Sequence, residues 1–283
     1  MRVLLTGGTG FVGSAVLRHL IAVGHSVIAV VRSESSADAV RAEGATPVVG
    51  QVTDREWFIA QLREADAAIH TAVPADEPAA DFDDAVIDAA LAAFAGTTKP
   101  FVYTTGIWIY GAGDDLTESA AIAAPEITAW REAAQAKLLG GGIDARIVSP
   151  GIVYGYGKGI PNVIAGAPRT EDGSLVLVGS GDQHWTTIHT DDLATLYVAV
   201  LEKGAAGEVY FGISGVNPTV REIGEAVVGT GGSVVADDEE STRERIGAAF
   251  ADALFIDQQA TGAKARSLGW SPTHQSLVEE LSS

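Results

Sequence analysis

The chain holds 283 residues, 47% of them hydrophobic, with 37 acidic against 18 basic side chains and no cysteine. It is longer than a minimal nucleotide-binding domain, short for two independent ones, and apolar enough for a large core. Missing cysteine excludes disulfides, thiolate metal sites and a cysteine nucleophile, and the net charge of −19 sets the surface against nucleic acid and anionic membranes.

Residues 3–5 read as a buried strand. They lead into Thr6-Gly7-Gly8-Thr9-Gly10-Phe11-Val12-Gly13 and then an apolar helix over 14–23, with Gly24 as a left-handed stop. Strand, glycine turn and helix together seat a dinucleotide pyrophosphate: the glycines admit the phosphates, and the helix start offers unpaired N–H groups and partial positive charge. A lone glycine triplet could be an ordinary turn; the strand before it and the helix after it argue against that. Residues 27–31 form the second strand, 37–43 a short helix and 46–49 the third strand. Thr53-Asp54-Arg55-Glu56 has the form of a capping box for a helix to about residue 65. Strands follow at 67–70, 101–105 and 145–149, separated by an Ala-rich helix ending near Phe94 and a helix over 125–139 stopped by Gly140-Gly141-Gly142. Such alternation implies an α/β fold with a doubly wound parallel sheet of the Rossmann type.

After Pro150 the rhythm changes, with frequent Gly and Pro up to Gly181 and shorter elements beyond. The expected organisation is a nucleotide-binding domain over 1–150, rejoined by about 188–212, and a smaller interleaved substrate lobe over 151–283 lying across the carboxyl ends of the strands. The Ala-rich helices at 79–95 and 125–139 could pair in a homodimer, although packing within one chain explains them as well. No apolar run approaches the roughly 20 residues of a membrane span, and a strand follows Met1 directly, so a cytoplasmic protein without a leader is expected. The six histidines show no paired ligand spacing, so no metal is expected.

The spacing Gly7-x-x-Gly10-x-x-Gly13 resembles the TGxxGxxG of the short-chain dehydrogenase/reductase superfamily. The whole string is similar to its extended or atypical branch, the NAD(P)-dependent epimerase/dehydratase group. Residues 68–72 resemble that group's fourth-strand segment, FVYTTGIWIYG at 101–111 its string ending in VYG, and 149–155 the segment flanking the nicotinamide. WTTIHTDDLA at 185–194 resembles HVDDLA, and LGWSP at 268–272 the closing LGW-P, both mostly structural in that group. The resemblance implies a nicotinamide dinucleotide held by Gly7, Thr9, Gly10, Phe11, Val12, Gly13, Val52, Thr71, Ala72, Val73, Thr104, Pro150, Gly151 and Val153. The end of the second strand selects its type. An NAD site usually places an acid there; this chain has Val31-Arg32-Ser33. Arg32 has the fork and charge for a 2′-phosphate and Ser33 could donate beside it, which favours NADP(H), with NAD(H) left open by nearby Glu34.

One departure bears on the reaction. The family uses a Tyr and, four residues later, a Lys on the helix after the fifth strand; this chain has no tyrosine between Gly111 and Val153. The resemblance places Ile127 and Arg131 at those positions, and Gly106, with Thr105 beside it, at the catalytic serine. Arg131 could hold the ribose but stays charged, and Ile127 cannot move a proton. Thr105, Arg131 and Tyr154 are the candidate catalytic groups, and Gly106, Trp108, Tyr156, His184 and Trp185 the candidate substrate contacts. Packing in loops or core is the alternative for the aromatic ones. The expected activity is NADP(H)-dependent redox chemistry on a small organic molecule. A non-catalytic NADP(H)-binding sensor, or a nucleotide-sugar epimerase or dehydratase with relocated acid and base, is the alternative.

Overall fold

The computed structural model describes residues 1–74, 78–274 and 276–282. In chain order the first half alternates: β1 (Arg2–Thr6), α1 (Phe11–Ala22), β2 (Ser26–Val31), α2 (Glu34–Ala42), β3 (Thr46–Val49), α3 (Arg55–Glu64), β4 (Ala67–His70), α4 (Ala79–Phe94) and β5 (Phe101–Thr104). A 3-10 turn (Ile107–Tyr110), β6 (Gly113–Leu116) and a second 3-10 turn (Glu126–Thr128) lead to α5 (Trp130–Leu139) and β7 (Ala145–Pro150). Then come β8 (Ile152–Gly155), β9 (Lys158–Gly159), α6 (Asn162–Ala165), β10 (Leu175–Val176), β11 (Thr187–His189), α7 (Thr190–Lys203) and β12 (Val209–Gly212). The last part carries α8 (Val220–Val228), β13 (Val234–Val235), α9 (Glu239–Ile246), α10 (Ala248–Leu254), β14 (Gln258–Ala260), α11 (Ala263–Arg266) and α12 (Leu277–Leu281).

Seven strands form one parallel sheet in the order β12-β7-β5-β4-β1-β2-β3. Both its faces are covered, which is why its strands read as unbroken apolar runs rather than as alternating ones. Val3, Leu5, Ile69, Val102 and Val148 meet α1 and α7 on one face. Leu4, Ala68, Tyr103 and Ile147 meet α3, α4 and α5 on the other. A separate cluster around Trp185, Leu177, Ile223 and Leu254 forms the core of the later part of the chain.

Several boundaries differ from the sequence reading. α1 begins at Phe11 rather than 14, because the glycine turn passes into helix with no spacer. Ser33 starts α2 three residues earlier than expected by accepting from Ser36 N. Asp54 rather than Thr53 caps α3, accepting from Trp57 N at 3.2 Å, so the expected capping box is a simple cap shifted by one residue. The chain's capping box lies instead at Thr219 and Glu222, at the start of α8. Residues 126–128 form a separate 3-10 turn before α5. Within the chain the Ala-rich helices α4 and α5 pack together, and Lys137 reaches Asp84 at 2.5 Å and Asp88 at 2.7 Å along their outer edge.

The end of the chain is tied to the head of α7. Asp192 is buried, and it accepts from Thr273 N (2.9 Å), Thr273 Oγ1 (2.8 Å) and His274 N (2.7 Å). Trp270 Nε1 adds bonds to Asp192 O (3.1 Å) and Thr195 Oγ1 (2.8 Å). Next to this staple, His189 is buried and stacks on His274 with ring centroids 3.8 Å apart. Burial first, and the facing His274 second, hold the His189 imidazole below its ordinary range. A lowered folded value means that the unfolded chain takes up the proton first as pH falls. The His189 contribution is therefore present above the unfolded value of 6.5 and is lost as pH drops below it. Urea denaturation across pH 8 to 5 is expected to show falling stability below that point, and His189→Gln is expected to flatten the slope.

Candidate functional site

A cleft of about 700 Å³ runs over the carboxyl end of β1. It lies where the strand order reverses, with β2 and β3 on one side of β1 and β4 on the other, the place where open parallel sheets take ligands. Thr6, Gly7, Thr9, Gly10, Phe11, Val12 and Gly13 form its floor, Val31, Arg32 and Ser36 one wall, Gly50 to Thr53 a second, and Thr71 to Pro74 with Phe82 a third.

The glycines are required by close approach. Gly7 has φ +79°, and its carbonyl accepts from Gly10 N at 2.8 Å. A Cβ at Gly7 would lie 2.7 Å from Ala72 N, and one at Gly13 would lie 2.0 Å from Gly7 O. The turn is thus pressed between α1 and the loop after β4. No side chain caps α1, whose N-cap is Gly10, and no acid occupies its first turn. The unpaired N–H groups and the positive end of α1 therefore face the cleft, a site built for an anion.

Arg32 stands exposed on the wall. Ser33 is not among the residues lining the cleft: its hydroxyl caps α2 and bonds Ser35 and Ser36, and Ser36 lines the wall. Val52, Thr71, Ala72 and Val73 all border the cleft.

At the neighbouring strand ends, Thr104 Oγ1 donates to His70 O at 2.6 Å and pairs with Tyr197 at 2.6 Å. Arg131, on the first turn of α5, donates to Thr104 O at 3.0 Å and lies over the Trp130 ring. Thr105 and Ser149 stand side by side at the ends of β5 and β7; both are buried, and neither hydroxyl has a partner among the described residues. A Cβ at Gly106 would meet nothing within 4 Å, so space opens beside Thr105. Trp108, half-buried, sits edge-on against Phe250 where the two parts of the chain meet. Pro150 ends β7, Gly151 follows it against Thr186 and Ile213, and half-buried Val153 lies on β8.

Other expected site residues lie elsewhere. Tyr154 is 1% exposed; its ring packs on His189 and its hydroxyl is enclosed, so it cannot touch a substrate. Burial pushes its phenol well above the ordinary range. Trp185 is equally buried and donates to Leu254 O at 3.0 Å as part of the later core. His184 is fixed by Asp257, which accepts from its backbone N–H at 2.8 Å and contacts its ring at 2.9 Å. Tyr156 is exposed with φ +55°, and its hydroxyl donates to Asp191. Ile127 is exposed on the second 3-10 turn. The sequence reading missed Ser36, Gln51, Thr53, Pro74 and Phe82; the switch-point rule could have found the first four, since each follows the end of β2, β3 or β4.

The fold brings together one set of potential metal ligands among the described residues, His189, Asp191 and His274. However, His189 Nδ1 already accepts from Asp191 N at 3.2 Å, and the two imidazoles are stacked 19° from parallel. Their lone pairs do not converge on one point, as a shared ion requires.

An open parallel sheet with an uncapped helix and a glycine turn at its switch point defines a Rossmann-type α/β protein. The profile of the NAD dependent epimerase/dehydratase family matches residues 3–211. An uncharacterized protein of Schizosaccharomyces pombe is 30% identical over 295 residues, covering 100% of this chain and 99% of its own. One from Saccharomyces cerevisiae is 30% identical over 299 residues, covering 99% and 98%. Among solved structures, a human epimerase family protein with NADPH superposes with TM-score 0.74 at 20% identity, covering 100% of this chain and 98% of that one. The dTDP-glucose 4,6-dehydratase of Bacillus anthracis, in complex with NAD, gives TM-score 0.77 at 18% identity, covering 99% and 95%. This chain belongs to the NAD dependent epimerase/dehydratase family.

The steric argument is checkable on stability alone. Gly13→Ala forces a methyl group against the Gly7 carbonyl and is expected to lower unfolding free energy by about 1–3 kcal/mol in denaturant titration. Gly106→Ser, directed into open space, is expected to stay within about 0.5 kcal/mol of the parent.

Proposed function

We propose that the chain is an NADP(H)-dependent oxidoreductase of the atypical short-chain type, acting on a small organic molecule. The observation that carries this reading is the cleft itself: a glycine floor, an uncapped helix start and, on one wall, a guanidinium where an NAD site would have an acid. The donor set fits a dinucleotide carrying a third phosphate. The N–H groups of α1 would take the pyrophosphate, Arg32 with Ser36 the 2′-phosphate, and the Gly50–Thr53 and Thr71–Pro74 walls would enclose the adenosine half. Bound there, the coenzyme supplies or accepts a hydride. Arg131, held on Thr104 O, would bind the ribose hydroxyls, and Thr105, whose buried hydroxyl is unpartnered, would orient the substrate's polar atom in the space over Gly106.

Proton delivery sets the substrate. Five of the six tyrosines, at 103, 110, 154, 197 and 210, are at most 3% exposed, and Tyr156 is engaged with Asp191. Burial raises Tyr103, Tyr154 and Tyr197 well above the ordinary phenol range. With no phenol available, reduction of an activated C=C or C=N bond, where water can give the proton, suits the site better than alcohol oxidation. The same observation favours a second reading, a coenzyme-binding sensor without turnover.

Calorimetry separates the cofactors. NADPH is expected to bind more tightly than NADH, and Arg32→Ala to weaken NADPH by about 10–100-fold, the worth of charge-assisted hydrogen bonds, while leaving NADH within about threefold. Tighter NADH binding would overturn the assignment. A loss of NADPH absorbance with enone or imine substrates decides between enzyme and sensor.

A further inference from the structure

Beneath the glycine turn runs a chain of buried polar groups that the proposed chemistry leaves unused. Thr6 Oγ1 lies 2.7 Å from His70 Nδ1, His70 Nε2 lies 3.4 Å from Asp83 Oδ1, and the Tyr103 hydroxyl donates to Asp83 Oδ2. All four residues are at most 4% exposed. The His70 ring lies parallel to Tyr103 and tilted against Phe82, each with centroids 5.8 Å apart.

Docking of α4 does not require this carboxyl group. The helix already buries Val86, Ile87, Ala90 and Phe94, and an apolar residue in place of Asp83 would serve that purpose at least as well. What the chain does reach is the cleft, at Thr6 and Phe82, and the neighbouring strand end, at Tyr103. Thr6 is the floor residue from which the glycine turn departs, and its carbonyl accepts from Thr71 N at 3.3 Å and Thr71 Oγ1 at 2.8 Å. Phe82, beside Asp83 on α4, lines the wall. Tyr103 precedes Thr104, whose carbonyl holds Arg131.

We propose that Asp83 is a positioning residue of the coenzyme cleft: through His70 it fixes the Thr6 hydroxyl under the glycine turn, and through the first turn of α4 it keeps Phe82 in the wall. The proposal rests on the coenzyme reading above. The donor logic follows from the acceptors. Asp83 takes the Tyr103 proton donor on one oxygen and the His70 Nε2–H on the other. His70 Nδ1 is then a bare acceptor, and Thr6 must donate to it, so the hydroxyl is held in one orientation.

Asp83→Asn keeps the shape and inverts this logic. With the Tyr103 hydroxyl still donating to its carbonyl, its amide N–H faces His70 Nε2, which becomes the acceptor, so Nδ1 carries the proton and donates to Thr6. Imidazole ¹⁵N shifts read the tautomer directly, and a merely structural carboxyl would not link it to affinity. The parent protein is expected to show His70 protonated at Nε2, and Asp83→Asn at Nδ1 with NADPH dissociation constants raised about tenfold. Thr6→Val, which removes only the hydroxyl, is expected to give a similar loss, and it carries the test alone if Asp83→Asn does not fold. An Nδ1–H tautomer in the parent, or unchanged NADPH affinity in either folded variant, overturns the proposal while leaving the coenzyme reading intact. A parent protein that binds neither NADPH nor NADH overturns both.

Discussion

The approach of Gly13 to the carbonyl of Gly7, too close for any side chain, is the contact on which the rest of the molecule is arranged. It draws the first turn of α1 down onto the loop that leaves β1. Because Gly7 is simultaneously pressed on Thr71 and Ala72, that contact also fixes the gap between β1 and β4. A helix start pinned in this way has Gly10 as its N-cap and carries no side-chain cap. Its N–H groups are left to a ligand, and the walls follow from geometry: whatever ends β2, β3 and β4 must border the same crevice.

The second part of the chain is attached by a different kind of contact. α7 lies on α1 along one face of the sheet, and its first turn carries the buried Asp192 that holds residues 273 and 274. Three charge-assisted bonds to a buried carboxyl are worth more than the same number at the surface. They tie the chain's end to an element of the central sheet rather than to the core around Trp185. Toward the strand ends, where Trp108 meets Phe250, the later part of the chain is tied again: buried Gln258 donates from Nε2 to Ile107 O at 3.0 Å and to Gly111 O at 2.6 Å.

The sequence made the fold legible because both layers of a doubly wound sheet write themselves into it: apolar runs for strands buried on two faces, glycine where a helix start meets a turn. The cleft wall at Val52 and Thr71 to Val73 follows from the same pattern, since strand ends at the switch point are named by topology. Where the reading failed, the deciding contact was distant in sequence. Nothing near Tyr154 reveals that its ring will pack on His189, or near Trp185 that its indole will reach the Leu254 carbonyl. Ser33 failed for a local reason: a serine before a helix can serve the helix or a ligand, and here the hydroxyl serves the helix. The His70–Asp83 contact, between a strand and the following helix, was beyond pattern reading because an acid near a helix start normally reads as a solvated charge favoured by the helix dipole.

Under the proposed reading, the reaction is restricted by what surrounds the space over Gly106. Arg131 is tied to Thr104 O and remains cationic, so it can stabilise negative charge but cannot deliver a proton at neutral pH. Thr105 and Ser149 are buried hydroxyls without a hydrogen-bond partner among the described residues; they can donate a hydrogen bond to a polarised oxygen or nitrogen but have no bonded base to take up their proton. A site equipped in this way stabilises charge that develops on the substrate as hydride arrives, and leaves protonation to solvent. It therefore selects acceptors whose anion is already delocalised, such as an enone or an imine flanked by an electron sink, over simple ketones, whose alkoxide needs a proton at the moment it forms.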